Sequence, residues 1–286
     1  MCLQNSVCVG ASSFAEPSFY PEKYPKFDGT LDTASGVRKK EYSPLDTLKE
    51  IKYAFFPIGA SGLTGILFVL FSFCQGQDLK AQDPLRFEEE IRQLKNRNDT
   101  VWDSDKPTLV FTGSSSIRLW EDLQDRFPDR QILNTGFGGS QASDLLYYLH
   151  PLILDYSPEQ VFIYEGDNDL AEGKRPGQVL RTLKDIKEEI RQALPEIPIV
   201  FISAKPSISR WNLRGKYRRF NRRLLRWTHR EPGLWYADVW SQMVTERQLD
   251  KSLFVADGLH MNSNGYDIWE KVINPLIEPK PKTRNP

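Results

Sequence analysis

Thr108-Leu-Val-Phe-Thr-Gly-Ser-Ser-Ser-Ile-Arg-Leu-Trp120 is the stretch from which the fold is read. Apolar and β-branched residues run into Thr112-Gly113, three serines follow, and an amphipathic pattern begins at Ile117, Leu119, Trp120 and Leu123. The pattern predicts a buried strand, a tight turn and the first turn of a helix. In a parallel α/β sheet this bend lies at a strand's carboxyl end, where ligands meet helix N-termini. A serine placed there sits among backbone N–H groups able to stabilise an oxyanion. Serine is also a preferred N-cap, so capping is the competing reading of the same three residues.

Outward from this stretch the chain alternates regularly. Apolar strands are expected at 108–112, 131–135, 160–164, 197–203 and 234–239, with helical patterns between them. The clearest helix spans 176–194, where Val179, Leu180, Leu183, Ile186, Ile190 and Leu194 share a face. A leading helix is expected from Leu85 to Leu94, ending in a turn-rich Asn96–Pro107, and a last helix from about Asn264 to Ile277. Short apolar strands alternating with helices imply a parallel sheet covered on both faces.

Composition narrows the chemistry. Lys plus Arg equals Asp plus Glu at 38 each, so overall charge offers no case for a nucleic-acid partner. The three cysteines, Cys2, Cys8 and Cys74, all lie in the first quarter, leaving the rest without a disulfide framework or a thiol nucleophile. His150, His229 and His260 are the whole histidine supply, which argues against a zinc site.

The front of the chain differs from the rest. Residues 1–52 have no clear period and read as a poorly ordered extension. Residues 53–77 carry no charge and follow Arg38, Lys39, Lys40, Lys49 and Lys52, as expected of a membrane anchor or a signal peptide. Either places the following domain outside the membrane, exported or anchored. Residues 78–106 read as a linker and leading helix, 107–278 as the α/β domain, and 279–286 as a tail.

Three further segments fall at expected strand ends. Asn134-Thr-Gly-Phe-Gly-Gly-Ser-Gln141 has three glycines in four residues, which lets the backbone turn sharply and present N–H groups. A flexible connection is the other reading. Tyr164-Glu-Gly-Asp-Asn-Asp-Leu170 is a solvated loop, an acidic metal site, or the seat of an Asn oxyanion donor. Ala256-Asp-Gly-Leu-His-Met-Asn262 sets an Asp three residues before a His, able to fix its tautomer and stabilise its charged form.

Together, Gly113-Ser-Ser115, Gly139, Asn168 and Asp257-Gly-Leu-His260 resemble, in order, the four blocks of the SGNH (GDSL-type) hydrolases. Gly-Ser-Ser-Ser-Ile-Arg-Leu-Trp and Gly-Asp-Asn-Asp-Leu look like the branch related to platelet-activating-factor acetylhydrolase subunits. The resemblance covers about residues 85–277 and implies a flavodoxin-like three-layer α/β/α sandwich with a five-stranded parallel sheet. It implies Ser115 as nucleophile, with Asp257 and His260 completing a triad. It also implies an oxyanion hole from the N–H groups of Ser115 and Gly139 and the Asn168 side chain. Ser114 stands where the family usually has Asp, so hydrogen bonding beside the nucleophile must differ.

The expected activity is serine esterase chemistry on a small acyl ester, acetyl first, on a glycan or other small acceptor, with no cofactor and no metal. A short-chain lipid ester is the alternative substrate. Arg118, Arg210 and Trp211 are expected to touch substrate. Arg214 to Arg230 holds eight Lys/Arg and no acid, interleaved with apolar residues, and reads as an amphipathic helix with a solvated basic face. The alternative is a grip on an anionic polymer, the basis for a non-catalytic binding module on the same fold.

Overall fold

The computed structural model describes residues 83–246 and 248–277. The segments read as an extension, an apolar anchor or signal, and a tail (1–52, 53–77, 279–286) lie outside the described residues. Among the described residues, no helix is long and apolar enough to cross a membrane.

Five strands form one sheet: β1 (Thr108–Gly113), β2 (Gln131–Gly136), β3 (Gln160–Tyr164), β4 (Ile199–Ile202) and β5 (Leu234–Ala237). Their order is β2-β1-β3-β4-β5 and every pairing is parallel. Side chains alternate between the two faces, as the pleat requires. Val110, Val161, Ile163, Ile199 and Phe201 face one core; Leu109, Phe111, Phe162, Tyr164, Val200 and Ile202 face the other. On the first face pack α1 (Glu88–Val101), α4 (Ala142–Tyr147), α5 (Leu149–Leu152), α7 (Pro176–Ala193) and α8 (Arg214–Thr228). On the second pack α2 (Ser115–Arg118), α3 (Leu123–Arg126), α9 (Val239–Gln242) and α10 (Ser263–Ile273). The result is the three-layer α/β/α sandwich expected from the alternation.

The second core is built on aromatic rings. Phe111 stacks on Phe162 at 4.3 Å, and Trp120 meets Tyr266 and Trp269 at 5.1 and 5.8 Å. Each such buried side chain contributes about 1.5–3 kcal/mol relative to exposure. These contacts anchor α2 and α10, the two helices that begin at the candidate site, to one rigid sheet face.

Three elements depart from the sequence expectation. The leading helix does not stop near Leu94 but runs to Val101, because Asn98 is buried and its Nδ2 donates to the Asn134 carbonyl at 3.2 Å. An exposed Lys95–Asp99 pair adds support one turn apart. The helix after the serines breaks into two short pieces, α2 and α3, separated by Leu119–Asp122. A small antiparallel pair, β6 (Val244–Thr245) and β7 (Gln248–Leu249), follows α9.

The chain leaves β1 for β2 on one side and returns to β3 on the other. Sheet order therefore reverses between β1 and β3, the point where open α/β sheets leave a crevice at their carboxyl edge.

Candidate active site

Gly113 ends β1 with φ of 126°, a backbone conformation that side chains disfavour, and this turns the chain sharply into the serines. Ser114 is the N-cap residue: its N–H donates to the Tyr164 carbonyl at 3.1 Å, and its carbonyl accepts from Ile117 and Arg118. Ser115 is thereby the first residue of α2, half-buried at the sheet edge. Ser116 is buried, and its carbonyl accepts from the Tyr266 hydroxyl at 3.0 Å. One of the three hydroxyls meets a histidine. Ser115 Oγ lies 3.0 Å from His260 Nε2.

His260 sits in the loop before α10. Its Nδ1 lies 2.5 Å from Asp257 Oδ2, while Asp257 Oδ1 accepts from the Leu259 and His260 N–H groups at 2.8 and 2.9 Å. What desolvation there is pushes the Asp257 carboxyl up, but the two backbone donors and the imidazole outweigh it and hold it down at about 2. An ionised Asp so placed favours the His tautomer whose Nε2 accepts a proton. Neither side chain is deeply enclosed: Asp257 is 47% and His260 25% exposed.

Opposite lies the glycine-rich loop. Gly138 N–H donates to Glu90 Oε1 of α1 at 3.1 Å, and Gly139 follows with φ of 76° and open space where a Cβ would stand. The N–H groups of Ser115 and Gly139 make no hydrogen bond among the described residues. Asn168 lies in the first turn of α6 (Asp167–Ala171), the short helix after β3. Its Nδ2 donates to the Ser140 carbonyl at 2.8 Å and its Oδ1 accepts from Arg210 at 3.0 Å. A carbonyl only accepts and a guanidinium only donates, so the amide has one possible orientation.

The neighbouring acids hold this loop. Asp167 is buried and accepts from Tyr164, Tyr217 and Arg210 at 2.8, 2.5 and 2.6 Å. Burial pushes its carboxyl up, but Lys205 and Arg210 more than offset this and hold it below the usual range. Asp169 accepts from Ala142 N–H at 3.0 Å and Lys174 at 2.8 Å. Among the described residues, no group of three or more His, Cys, Asp or Glu is arranged to hold a metal ion.

Residues 99–268, more than half of the chain, match the model of the GDSL-like lipase/acylhydrolase family. The chain belongs to that family. It is a carboxylic ester hydrolase. No curated protein matches the sequence. Among solved structures, a candidate platelet activating factor from Streptococcus pneumonia is similar at TM-score 0.60 and 20% identity, over 74% of this chain and 98% of that one. A GDSL-like lipase from Bacteroides thetaiotaomicron is similar at 0.58 and 20%, over 66% and 97%. A catalytic mutant of an acetylxylan esterase from Geobacillus stearothermophilus is similar at 0.50 and 14%, over 61% and 95%. At these identities the likeness is one of fold.

The residues expected at substrate are differently placed. Arg118 is exposed and lies against Gly138, beside the glycine turn. Arg210 does not stand free for a ligand: its guanidinium is engaged with Asp167 and Asn168. Trp211 stacks on Trp240 at 6.2 Å under the Arg214 guanidinium. On α8, Tyr217, Phe220, Leu224 and Trp227 enter the core, while Arg218, Arg219, Arg222, Arg223 and Arg226 face solvent and pair with no carboxylate among the described residues. Composition alone does not mark Lys205, whose side chain is wholly buried beneath the His260 loop. Its one sequence signal is a lysine three residues past the end of an apolar strand.

Proposed function

We propose that this chain removes a small acyl group, acetyl first, from an ester of a carbohydrate, with Ser115 as nucleophile, His260 as general base and Asp257 as the group that orients it. The observation that carries this reading is the continuous line from Ser115 Oγ through both His260 nitrogens to an Asp257 carboxylate held ionised.

In this mechanism His260 Nε2 takes the Ser115 hydroxyl proton as Oγ attacks the ester carbonyl. The tetrahedral oxyanion is met by the Ser115 and Gly139 N–H groups and the second Nδ2 hydrogen of Asn168. The intermediate collapses to an acyl-enzyme as His260 returns the proton to the departing alkoxide. Water, deprotonated by the same Nε2, attacks the acyl carbonyl, and Ser115 leaves with the proton.

Carbohydrate acceptors suit a site in which Asp257 and His260 lie near the surface, since the acyl group can enter while a bulky acceptor stays outside. An acetylxylan esterase on a similar fold supports deacetylation as the reaction class. The uncharged run 53–77 supports an exported or anchored enzyme, which meets glycans rather than cytoplasmic esters. Short-chain lipid esters are the second substrate class. Turnover of p-nitrophenyl acetate, lost in Ser115→Ala, tests the chemistry; release of acetate from acetylated glycans tests the acceptor. A protein that binds anionic polymers through α8 but turns over no ester overturns the catalytic reading.

A further inference from the structure

The connection from β4 to α8 reaches both halves of the site. Lys205 Nζ donates to the Leu259 carbonyl at 2.6 Å, inside the Asp257–His260 loop, and lies 3.7 Å from Asp167 Oδ2. Five residues on, Arg210 donates to Asp167 Oδ1 at 2.6 Å and to Asn168 Oδ1 at 3.0 Å. Ser209 N–H adds a bond to the Gly258 carbonyl at 3.0 Å. An ammonium with no exposure is an expensive way to fill a core, and a buried ion pair is weak evidence for stability. Geometry gives it a purpose. The His260 loop carries Asp257 and Val255 in the open, and the Lys205 ammonium is a side-chain tie from the sheet edge to its backbone.

We propose that Lys205 and Arg210 form a positioning clamp, gripping Asp167 from two sides so that the His260 loop and the Asn168 amide keep one fixed relation around Ser115. The clamp rests on the ester-hydrolase reading of those three residues. Lys205 and Arg210 are positioning residues: each acts through a neighbour, Lys205 through the Leu259 carbonyl and Arg210 through the Asn168 amide. A displacement of the order of 1 Å in such a site lowers turnover by about 10²-fold.

The test uses the full chain with p-nitrophenyl acetate. Lys205→Met keeps length and volume but removes the donor; Arg210→Lys keeps the charge but loses the fork that spans Asp167 and Asn168. Both are expected to lower kcat by about tenfold to a hundredfold with KM little changed and thermal unfolding still cooperative. Wild-type kcat in either folded variant overturns the clamp, and so does an Arg210→Lys effect confined to KM, which returns that residue to substrate binding. If Lys205→Met does not fold, Arg210→Lys, at a partly exposed position, decides by the same kcat criterion. Labelling of wild-type Ser115 by a fluorophosphonate separates the two levels. Failure to label overturns the hydrolase reading and the clamp with it; labelling beside undiminished variants overturns the clamp alone.

Discussion

Ser140 Oγ donates to Glu165 Oε1 at 2.6 Å in a site closed to solvent, directly behind the Gly139 turn. Among the described residues, Glu165 Oε2 makes no hydrogen bond. Burial, with Asp169 nearby, raises the Glu165 carboxyl well above its usual range, so the folded state keeps a proton that the unfolded chain releases above about pH 4.3. Above that pH the unfolded state binds fewer protons, and stability falls as pH rises until the folded group itself ionises. The slope from this one group reaches about 1.4 kcal/mol per pH unit. Glu165→Gln, neutral at every pH, is therefore expected to flatten the decline in unfolding free energy between pH 5 and 8. Urea melts of both proteins across that range check it. Parallel pH profiles would remove Glu165 as the source.

Gly113 supports a second prediction. A Cβ there would stand 2.0 Å from the Tyr164 carbonyl oxygen of the neighbouring strand, at a φ of 126°. Relief requires β1 and β3 to part at the edge where Ser115 and Asn168 begin their turns. Gly113→Ala is expected to lose about 3 kcal/mol or more, through strain and clash together. For a domain of this size that lowers Tm by about 6–12 °C. A thermal melt within 2 °C of wild type, on the order of the shift from under 1 kcal/mol, would show that the strands yield easily.

The strands and the residues of the candidate site were legible for different reasons. β1 to β5 are short apolar runs bounded by turns, and their cores on both faces explain why no polar alternation marks them. Ser115, Gly139 and Asn168 follow strand ends, where few residues carry the chemistry, and Asp257 and His260 share one short loop before the last helix, so their local order is visible in the sequence. The clamp was not legible. Lys205 and Arg210 are separated from Leu259 and Asn168 by long stretches of chain, and a buried cation has no period. Its place after a strand makes Arg210 look like a substrate contact; its partners Asp167 and Asn168 depend on tertiary packing. The reach of α1 to Val101 was hidden for the same reason: polar Asn98 is helical because it docks on β2.

Asn168 is held at both ends, by Ser140 and Arg210, which leaves one Nδ2 hydrogen for the reaction. Removing one oxyanion donor lowers kcat by about 10²–10³. Asn168→Ala is expected to show that loss in kcat with KM nearly unchanged. Steady-state kinetics on p-nitrophenyl acetate measure both. A loss carried mainly by KM would make Asn168 a substrate anchor.

The serine run and Asp257 supply the most direct test of the proposed triad. Ser115→Ala is expected to abolish nearly all turnover without lowering Tm, since its half-buried hydroxyl contributes little to the core. Ser114→Ala and Ser116→Ala keep substantial turnover, because their backbone groups, which cap α2 and receive Tyr266, survive the change. A dead Ser114→Ala beside an active Ser115→Ala would move the nucleophile by one residue. Asp257→Asn keeps size but presents a donor or a neutral oxygen to Nδ1, favouring the wrong tautomer, and lowers kcat by about 10³–10⁴. Because Asp257 ionises at about 2 in the folded protein, it stays charged throughout the mildly acidic range. Any fall in kcat/KM between pH 7 and 4 is then expected to come from a group other than Asp257. An acid limb that persists in Asp257→Asn, at a lower overall rate, is the expected result. An acid limb that vanishes in Asp257→Asn would assign it to that carboxylate and contradict its low ionisation.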